Sequence, residues 1–360
     1  MPRGTTLPAL TGLRFLAAAH VVVYHALRPA LVDAKPGLAA VTASGASAVT
    51  LFFVLSGFVL VHVYGPSVEV RAFWGARFAR LAPLYWAALL LALPIGVIAR
   101  ARGVVSDELG PASLALVATG LQAWVPPAAL RWNPPAWSLS CELFFYALFP
   151  VVARTLGRCT RRSALAVGAG AWLAGVALPL AYLAADPDGL GAPRITDESF
   201  WLNAVKLAPL ARLPDFLVGV TAGVLFRNGA RVPRGVGPVA LAATLALAAS
   251  GVAPALLVHN GLLAPLFALL VCWLAVDDGP LARVLSMRAS LLLGEASYAL
   301  YLLHVPLFLW AMALTRQTSL TPTRALLVGA LALPVAVAAH LVIERPARQW
   351  LRRRLTGAAS

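Results

Sequence analysis

Charge is what this sequence has least of. Only 12% of its 360 residues are Asp, Glu, Lys or Arg, while 60% are hydrophobic; a soluble domain carries roughly 25% charged residues. A soluble protein of this size has too little polar surface to cover so much apolar area. A bilayer removes that need, since a span asks for about 20 mostly apolar residues. Acidic residues are scarcer still, 14 against 29 basic ones, for a net charge of +15. A basic chain suits nucleic acid, but the arginines stand in short clusters between apolar runs, which fits the positive-inside rule and excludes a nucleic-acid partner. Cysteine is limited to Cys141, Cys159 and Cys272, with no CxxC spacing. That excludes a disulfide framework and a zinc site and leaves small buried thiols, so no metal is expected. There is no internal repeat and no long hydrophilic domain. No cleavable leader is expected either: residues 7–27 have a basic start and an apolar run, but Arg14 interrupts it and further spans follow.

What is present is a succession of apolar segments. Spans fall near 7–27, 45–64, 81–99, 137–154, 163–184, 201–226, 236–250, 261–276, 290–312 and 324–343. The expected fold class is an all-α integral membrane protein, a bundle of about ten transmembrane helices. Segment 112–125 is apolar but short, so it reads as re-entrant or interfacial. The Pro- and Trp-rich stretch from Trp124 to Pro135 reads as a turn at the membrane surface. With a cytoplasmic N-terminus, the inner segments hold 18 of the 29 basic residues, among them Arg3, Arg77, Arg80, Arg227 and the Arg352–Arg354 run. The outer segments hold 8, including Arg28 and Lys35. The asymmetry predicts both termini cytoplasmic. The transmembrane domain then covers 1–346, and 347–360 is a basic cytoplasmic tail anchored at an anionic inner surface.

An ionisable group inside the membrane costs several kcal/mol unless paired or wet, so each one is a functional candidate. Lys206 and His340 lie near span ends and are expected to snorkel. Arg14 and His25 are eleven residues apart and share one helical face, roughly 16 Å apart along the axis. They fit a long anionic donor reaching into the membrane, or else an interfacial arginine and a hydrogen-bonded core histidine. Ser138, Glu142 and Phe145 share a face, and the carboxylate needs a partner, for which Arg14, His25 or a water network are candidates. Arg212 and Asp215 are three apart and can neutralise each other. Arg77 and Arg80, at i and i+3 before Leu81–Tyr85, suit phosphate through paired guanidinium forks, or are ordinary inner-side charges.

Together these residues resemble the membrane acyltransferase-3 family. Arg14 and His25, with ten residues between them, resemble its Arg-x10-His motif. Phe52-Phe-Val-Leu-Ser56-Gly57-Phe58 resembles its second-helix motif. Arg77-Phe-Ala-Arg80, followed by Pro83 and Tyr85-Trp86, is similar to its Arg-x-x-Arg segment. Trp137-Ser138-Leu-Ser140-Cys141-Glu142, followed by Phe145-Tyr146, resembles its Trp-Ser-Leu-Ser-x-Glu segment. Arg212–Gly219 and Ser297-Tyr298-Ala-Leu-Tyr301-Leu-Leu-His304 resemble later signatures, and Glu344-Arg345-Pro346 resembles its close. Seven motifs in order span nearly the whole chain. Cys141, where an aliphatic residue is more usual, and Leu143, where an acidic one often follows the glutamate, depart from the pattern and bear only on local packing.

The resemblance implies a multi-pass enzyme of the bacterial inner membrane. It would move an acyl group, acetyl foremost, from cytoplasmic acyl-CoA to a hydroxyl of a saccharide, lipid or natural-product acceptor such as a macrolide. On that reading His25 is the general base, or in a rival route an acyl carrier. Arg14 orients phosphates or the thioester carbonyl, and Glu142 with Ser138 shapes the His25 tautomer or the thioester site. Arg77 and Arg80 hold the phosphates of CoA, while Ser56, Tyr85, Trp137, Tyr146, Arg212, Tyr298 and His304 line the donor path. The alternative of another class is a polytopic transporter or flippase for a lipid or glycan, marked by two repeated halves with broken helices.

Overall fold

A computed structural model describes residues 7–27, 44–103 and 109–356. Arg3, Arg28 and Lys35, used above for orientation, lie outside the described residues, as does the tail beyond 356. Helix is the only regular structure among the described residues. The first eight helices are α1 (Pro8–Leu27), α2 (Ala48–Tyr64), α3 (Val70–Ala101), α4 (Pro111–Thr119), α5 (Trp137–Leu156), α6 (Arg161–Ala185), α7 (Phe200–Leu207) and α8 (Pro209–Arg227). The remaining eight are α9 (Val236–Ser250), α10 (Ala255–His259), α11 (Ala264–Leu274), α12 (Pro280–Leu285), α13 (Arg288–Glu295), α14 (Ser297–Leu314), α15 (Pro322–Ala339) and α16 (Arg345–Thr356).

Among the described residues, nine helical stretches are long and apolar enough to cross a membrane, and each overlaps an expected span. The tenth expected span, 236–250, is α9, apolar but only 15 residues long. Lipid-facing leucines stay uncovered, Leu90 by 67% and Leu331 by 65%, while phenylalanines such as Phe58, Phe73 and Phe145 are sealed inside.

Several boundaries differ from expectation. The span expected at 81–99 starts at Val70, because the Glu69 carboxylate accepts from the amides of Arg71 (3.0 Å) and Ala72 (2.5 Å) and caps α3. Arg77 and Arg80 therefore sit inside a helix. The span expected at 290–312 is broken at Ala296 into α13 and α14. The one at 324–343 runs through a π-helical turn, His340–Glu344, into α16, so the described part of the tail is a helix packed along α3. Trp124–Pro135 is no plain surface turn: it is wound into short 3-10 turns with Ala128 and Asn133 buried. Nor do the two side chains expected to snorkel do so. Lys206 is buried and donates to the carbonyls of Ile195 (3.2 Å) and Asp197 (2.5 Å). His340 is buried between Glu344 (2.9 Å) and Glu295 (3.6 Å).

Prolines tie the bundle together. A proline inside a helix leaves the carbonyl four residues earlier without its donor, and in a membrane that carbonyl must find another. Pro306 frees the Leu302 carbonyl, which accepts from Asn133 Nδ2 at 3.1 Å. Pro150 frees that of Tyr146, which accepts from Trp74 Nε1 at 3.0 Å. At the break between α7 and α8, the Val205 carbonyl in the last turn of α7 also lacks a helical donor and accepts from Asn260 Nδ2 at 2.7 Å. Each bond joins two separate elements. Glycines do the complementary work of close approach: a Cβ on Gly57 would lie 2.4 Å from the Phe216 carbonyl oxygen, and one on Gly219 2.0 Å from that of Val54. α2 and α8 therefore meet backbone to backbone, which sets the depth at which α2 presents Val49, Phe52 and Ser56.

Candidate active site

Four helices grade the candidate residues by depth. α1 carries Arg14 near its start and His25 near its end; α14 carries Tyr298, Tyr301 and His304 in the same sense. α2 and α5 run the other way, from Val49 to Val59 and from Trp137 to Tyr146. Between them lie two cavities. The first is lined by Arg14, Ser56, Arg77, Arg80, Ser138, Glu142, Tyr146 and Tyr298. The second is lined by His25, Tyr24, Trp137, Glu198, Lys206 and His259. Val49 and Tyr301 line both.

The first cavity concentrates positive charge. Arg77 donates from Nη2 to the Tyr64 hydroxyl at 3.1 Å, and its guanidinium stands 5.5–5.9 Å from the ring centres of Tyr64, Phe73 and Tyr146. Cation–π contacts of this kind fix a guanidinium without neutralising it. Its Nε is buried with no hydrogen-bond partner among the described residues. No ion pair within 4 Å joins Arg14 or Arg80 to another described residue. Their nearest counter-charges act at longer range, from Glu142 and Glu344. The Glu142 carboxylate is itself engaged by the Tyr146 hydroxyl, which donates to it. Three half-buried guanidiniums facing one cavity, incompletely balanced, make a receptor for an anion of more than one charge.

The second cavity concentrates imidazole. His25 Nδ1 lies 3.0 Å from the Val21 carbonyl and 3.2 Å from His304 Nε2, and the two rings are 4.9 Å apart. His304 is fully buried, with Nδ1 3.1 Å from the Leu300 carbonyl. A carbonyl only accepts, so neutral His304 carries its proton on Nδ1 and offers a lone pair at Nε2. His25 then carries its proton on Nδ1, shared between Val21 and His304, and its lone pair sits on Nε2. Hydrogen bonding at Nδ1 sets the tautomer and orients the ring, as a general base requires.

The structure thus brings Arg14, Ser56, Arg77, Arg80, Ser138, Glu142, Tyr146 and Tyr298 together and sets His25, Trp137 and His304 apart from them. Glu142 partners Tyr146 rather than His25. Tyr85 lies elsewhere: its hydroxyl donates to the Val117 carbonyl, 3.5 Å from Gln122 Oε1, beside a smaller cavity with Trp86 and Leu143. Arg212 is fully buried in a private cluster, bonded to Asp215 (2.7 Å), the His259 carbonyl (2.7 Å) and Thr50 Oγ1 (2.6 Å). Its bonds tie α8 to α2 and α10. Sequence reasoning gave no role to Tyr301, though its position three residues from both Tyr298 and His304 marks one face of α14. Glu198 and His259 of the second cavity carried no local signal.

Comparison with known proteins shows the family. Residues 7–341 match the model of a family described as an acyltransferase domain. The acyltransferase MdmB of Streptomyces mycarofaciens is 33% identical over 98% of this chain and 94% of its own length. The exopolysaccharide production protein ExoZ of Rhizobium meliloti (strain 1021) is 30% identical over 87% of this chain and 92% of its own. Protein 2 in the picA locus of Rhizobium radiobacter is 36% identical over 44% of this chain and 86% of its own. No solved structure matches. A family match across nearly the whole length, over a bundle that gathers the motif residues around two cavities, identifies the chain as a multi-pass membrane acyltransferase belonging to the acyltransferase-3 family.

Proposed function

We propose that the chain transfers an acyl group, acetyl foremost, from acyl-CoA on the cytoplasmic side to a hydroxyl of a saccharide-containing acceptor reached from the other side. The setting would be a bacterial plasma membrane, with both termini cytoplasmic and α9 completing ten spans. The observation that carries this reading is the pair of cavities, one cationic and one holding an oriented imidazole, meeting at Val49 and Tyr301. Arg77 and Arg80, with Arg14 deeper, hold the phosphates and the pantetheine arm. Nothing but protein then surrounds the arm within the membrane, as a polar seam requires. Ser56, Ser138 and Tyr298 offer hydroxyls along its path.

The acceptor enters the second cavity. Its hydroxyl oxygen attacks the thioester carbonyl carbon while His25 Nε2 takes the hydroxyl proton. The tetrahedral intermediate collapses, the C–S bond breaks, and the departing CoA thiolate takes a proton back from the imidazolium. An ester and free CoA result, and His25 is neutral again. ExoZ carries exopolysaccharide production in its name, which supports a saccharide as the acceptor class.

The test is CoA release by purified protein given acetyl-CoA or propionyl-CoA. Wild type releases CoA even without acceptor, by slow hydrolysis. His25→Ala loses about 10²–10⁴-fold, the span of general acid–base contributions, and Arg77→Ala with Arg80→Ala raises the KM for donor more than it lowers kcat. If no CoA is bound or released even with saccharide extracts present, the donor assignment fails.

A further inference from the structure

The two cavities share only two residues, and that junction has to be crossed by the acyl group and by nothing else. We propose that Tyr301, backed by Val49, is the partition between the two chambers and the residue that sets the longest acyl group the protein transfers; this rests on the two-chamber reading above. The ring is held from three sides. Its hydroxyl is 2.9 Å from Ser138 Oγ, which is also 3.1 Å from the Pro135 carbonyl. Its face meets Phe52 edge-on at 5.9 Å, and the His304 ring lies 6.1 Å away on the same helix. It is 7% exposed and lines both chambers.

Position gives it the role. Along α14, Tyr298 faces the guanidinium chamber, His304 holds the base, and Tyr301 stands midway, one helical turn from each. A thioester anchored by its phosphates below must bring its carbonyl to this level to meet a hydroxyl held at His25. The acyl chain beyond the carbonyl then lies against Tyr301 and Val49. A small acyl group fits beside a tyrosine ring, and each further methylene has to displace it from a latch made by Ser138. The same ring keeps water of the second chamber off the thioester until an acceptor is present.

Two measurements test this. The first needs no donor. On a background with Cys159 and Cys272 replaced by Ser, leaving buried Cys141, single cysteines are placed at Ser56 in the first chamber and Leu130 in the second. Sealed vesicles of defined orientation are then exposed to a charged, membrane-impermeant thiol reagent from one side at a time. Ser56→Cys reacts from one side and Leu130→Cys from the other, and adding Tyr301→Ala makes each reactive from both. Reaction from both sides with Tyr301 intact, or no change on adding Tyr301→Ala, overturns the partition.

The second is turnover with acetyl-, butyryl- and hexanoyl-CoA. Tyr301→Ala shifts the kcat/KM ratio of hexanoyl to acetyl upward by tenfold or more and raises hydrolysis relative to transfer. Tyr301→Phe keeps the ring and the chain-length profile while losing the Ser138 bond. Val49→Ala moves the profile in the same direction and serves if Tyr301→Ala does not fold. An unchanged profile in both alanine variants, with CoA still bound, overturns the specificity role. If wild type uses no acyl-CoA at all, the donor reading fails while the labelling result stands by itself.

Discussion

Two kinds of arginine lie within the membrane span of this protein, and they are built differently. Arg212 has an ion pair, a carbonyl and a hydroxyl, all within 2.7 Å, and is fully buried. Arg14, Arg77 and Arg80 are half-buried, line a cavity and have aromatic rings or distant carboxylates in place of a contact ion pair. A buried pair joined by a contact ion pair joins helices and has its charge neutralised in place, so it has no net charge left for a ligand, although Arg212 Nε and Asp215 Oδ1 have no hydrogen-bond partner among the described residues. Guanidiniums held in place and left under-neutralised have their electrostatic work still to do. Both kinds sit in motifs of the family, so motif membership alone does not separate structure from function; the coordination of each charge does.

The sharpest way to break the comparison is to treat both kinds alike. Arg212→Ala strands the Asp215 carboxylate and the Thr50 hydroxyl in an apolar interior, a loss of roughly 3–5 kcal/mol. That is a large fraction of a typical folding free energy, so the expected outcome is failure to accumulate or a strongly lowered melting temperature in detergent. Arg212→Leu with Asp215→Leu removes both charges and recovers most of the melting temperature. Arg80→Gln should do the reverse: an unchanged melting temperature, with donor KM raised about tenfold or more, since a hydrogen bond to a charged group contributes about 1.5–3 kcal/mol. If Arg80→Gln melts like Arg212→Ala, the two kinds are one.

How much of this was legible in the sequence follows from the range of each interaction. The helices were, because apolar runs and proline, glycine and charge punctuation are local. Arg14 with His25, and Ser138 with Glu142, were legible because each pair shares a helix. What joins different helices was not. Nothing in the spacing pairs His25 with His304, 279 residues away, and the natural local guess, a carboxylate partner, chose Glu142, which lies in the other cavity. Lys206 and His340 read as snorkelling residues because hydropathy reports depth and not burial against other helices. The capping by Glu69 was written in the sequence, but an apolar criterion begins a span only where polarity ends, which put Arg77 and Arg80 outside it.

Within the second chamber, the His25–His304 contact sharpens the contrast further, because there an uncharged partner does the orienting. His304→Phe keeps a ring of similar size and removes the acceptor at Nε2. The kcat for transfer should fall about tenfold, the equivalent of about 1.4 kcal/mol in the barrier, with donor KM and melting temperature unchanged. His304→Gln, whose side-chain oxygen can accept from His25 Nδ1, should recover part of the loss. A kcat unaffected in His304→Phe would mean that His304 does not orient His25.

The smallest expected effect lies outside the spans, where the loop 186–199 brings Ile195 and Glu198 to the second cavity. Asp188 ties that loop to the start of α7. Its carboxylate accepts from Ser199 Oγ (2.6 Å), the Leu202 amide (2.8 Å), the Tyr182 hydroxyl (3.0 Å) and the Trp201 amide (3.3 Å). Burial opposes its ionisation, but these donors outweigh it and hold the carboxyl below the ordinary value of 3.8. A carboxyl with a lowered folded pKa stabilises fully at pH above the unfolded value, and the contribution is lost as pH falls toward and through the folded one. Loop anchoring should therefore be constant around neutral pH and weaken only below about 4. Asp188→Asn, which keeps one acceptor oxygen and removes the charge, should cost about 1 kcal/mol of local stability. It should speed amide exchange across 186–202 at neutral pH and leave the guanidinium chamber's affinity for CoA as it was. Faster exchange confined to that loop, together with a raised KM for acceptor alone, would separate the two chambers energetically as well as in space. A change in CoA affinity would mean that the loop and the donor side are coupled through the bundle, and the two regions would have to be treated as one site.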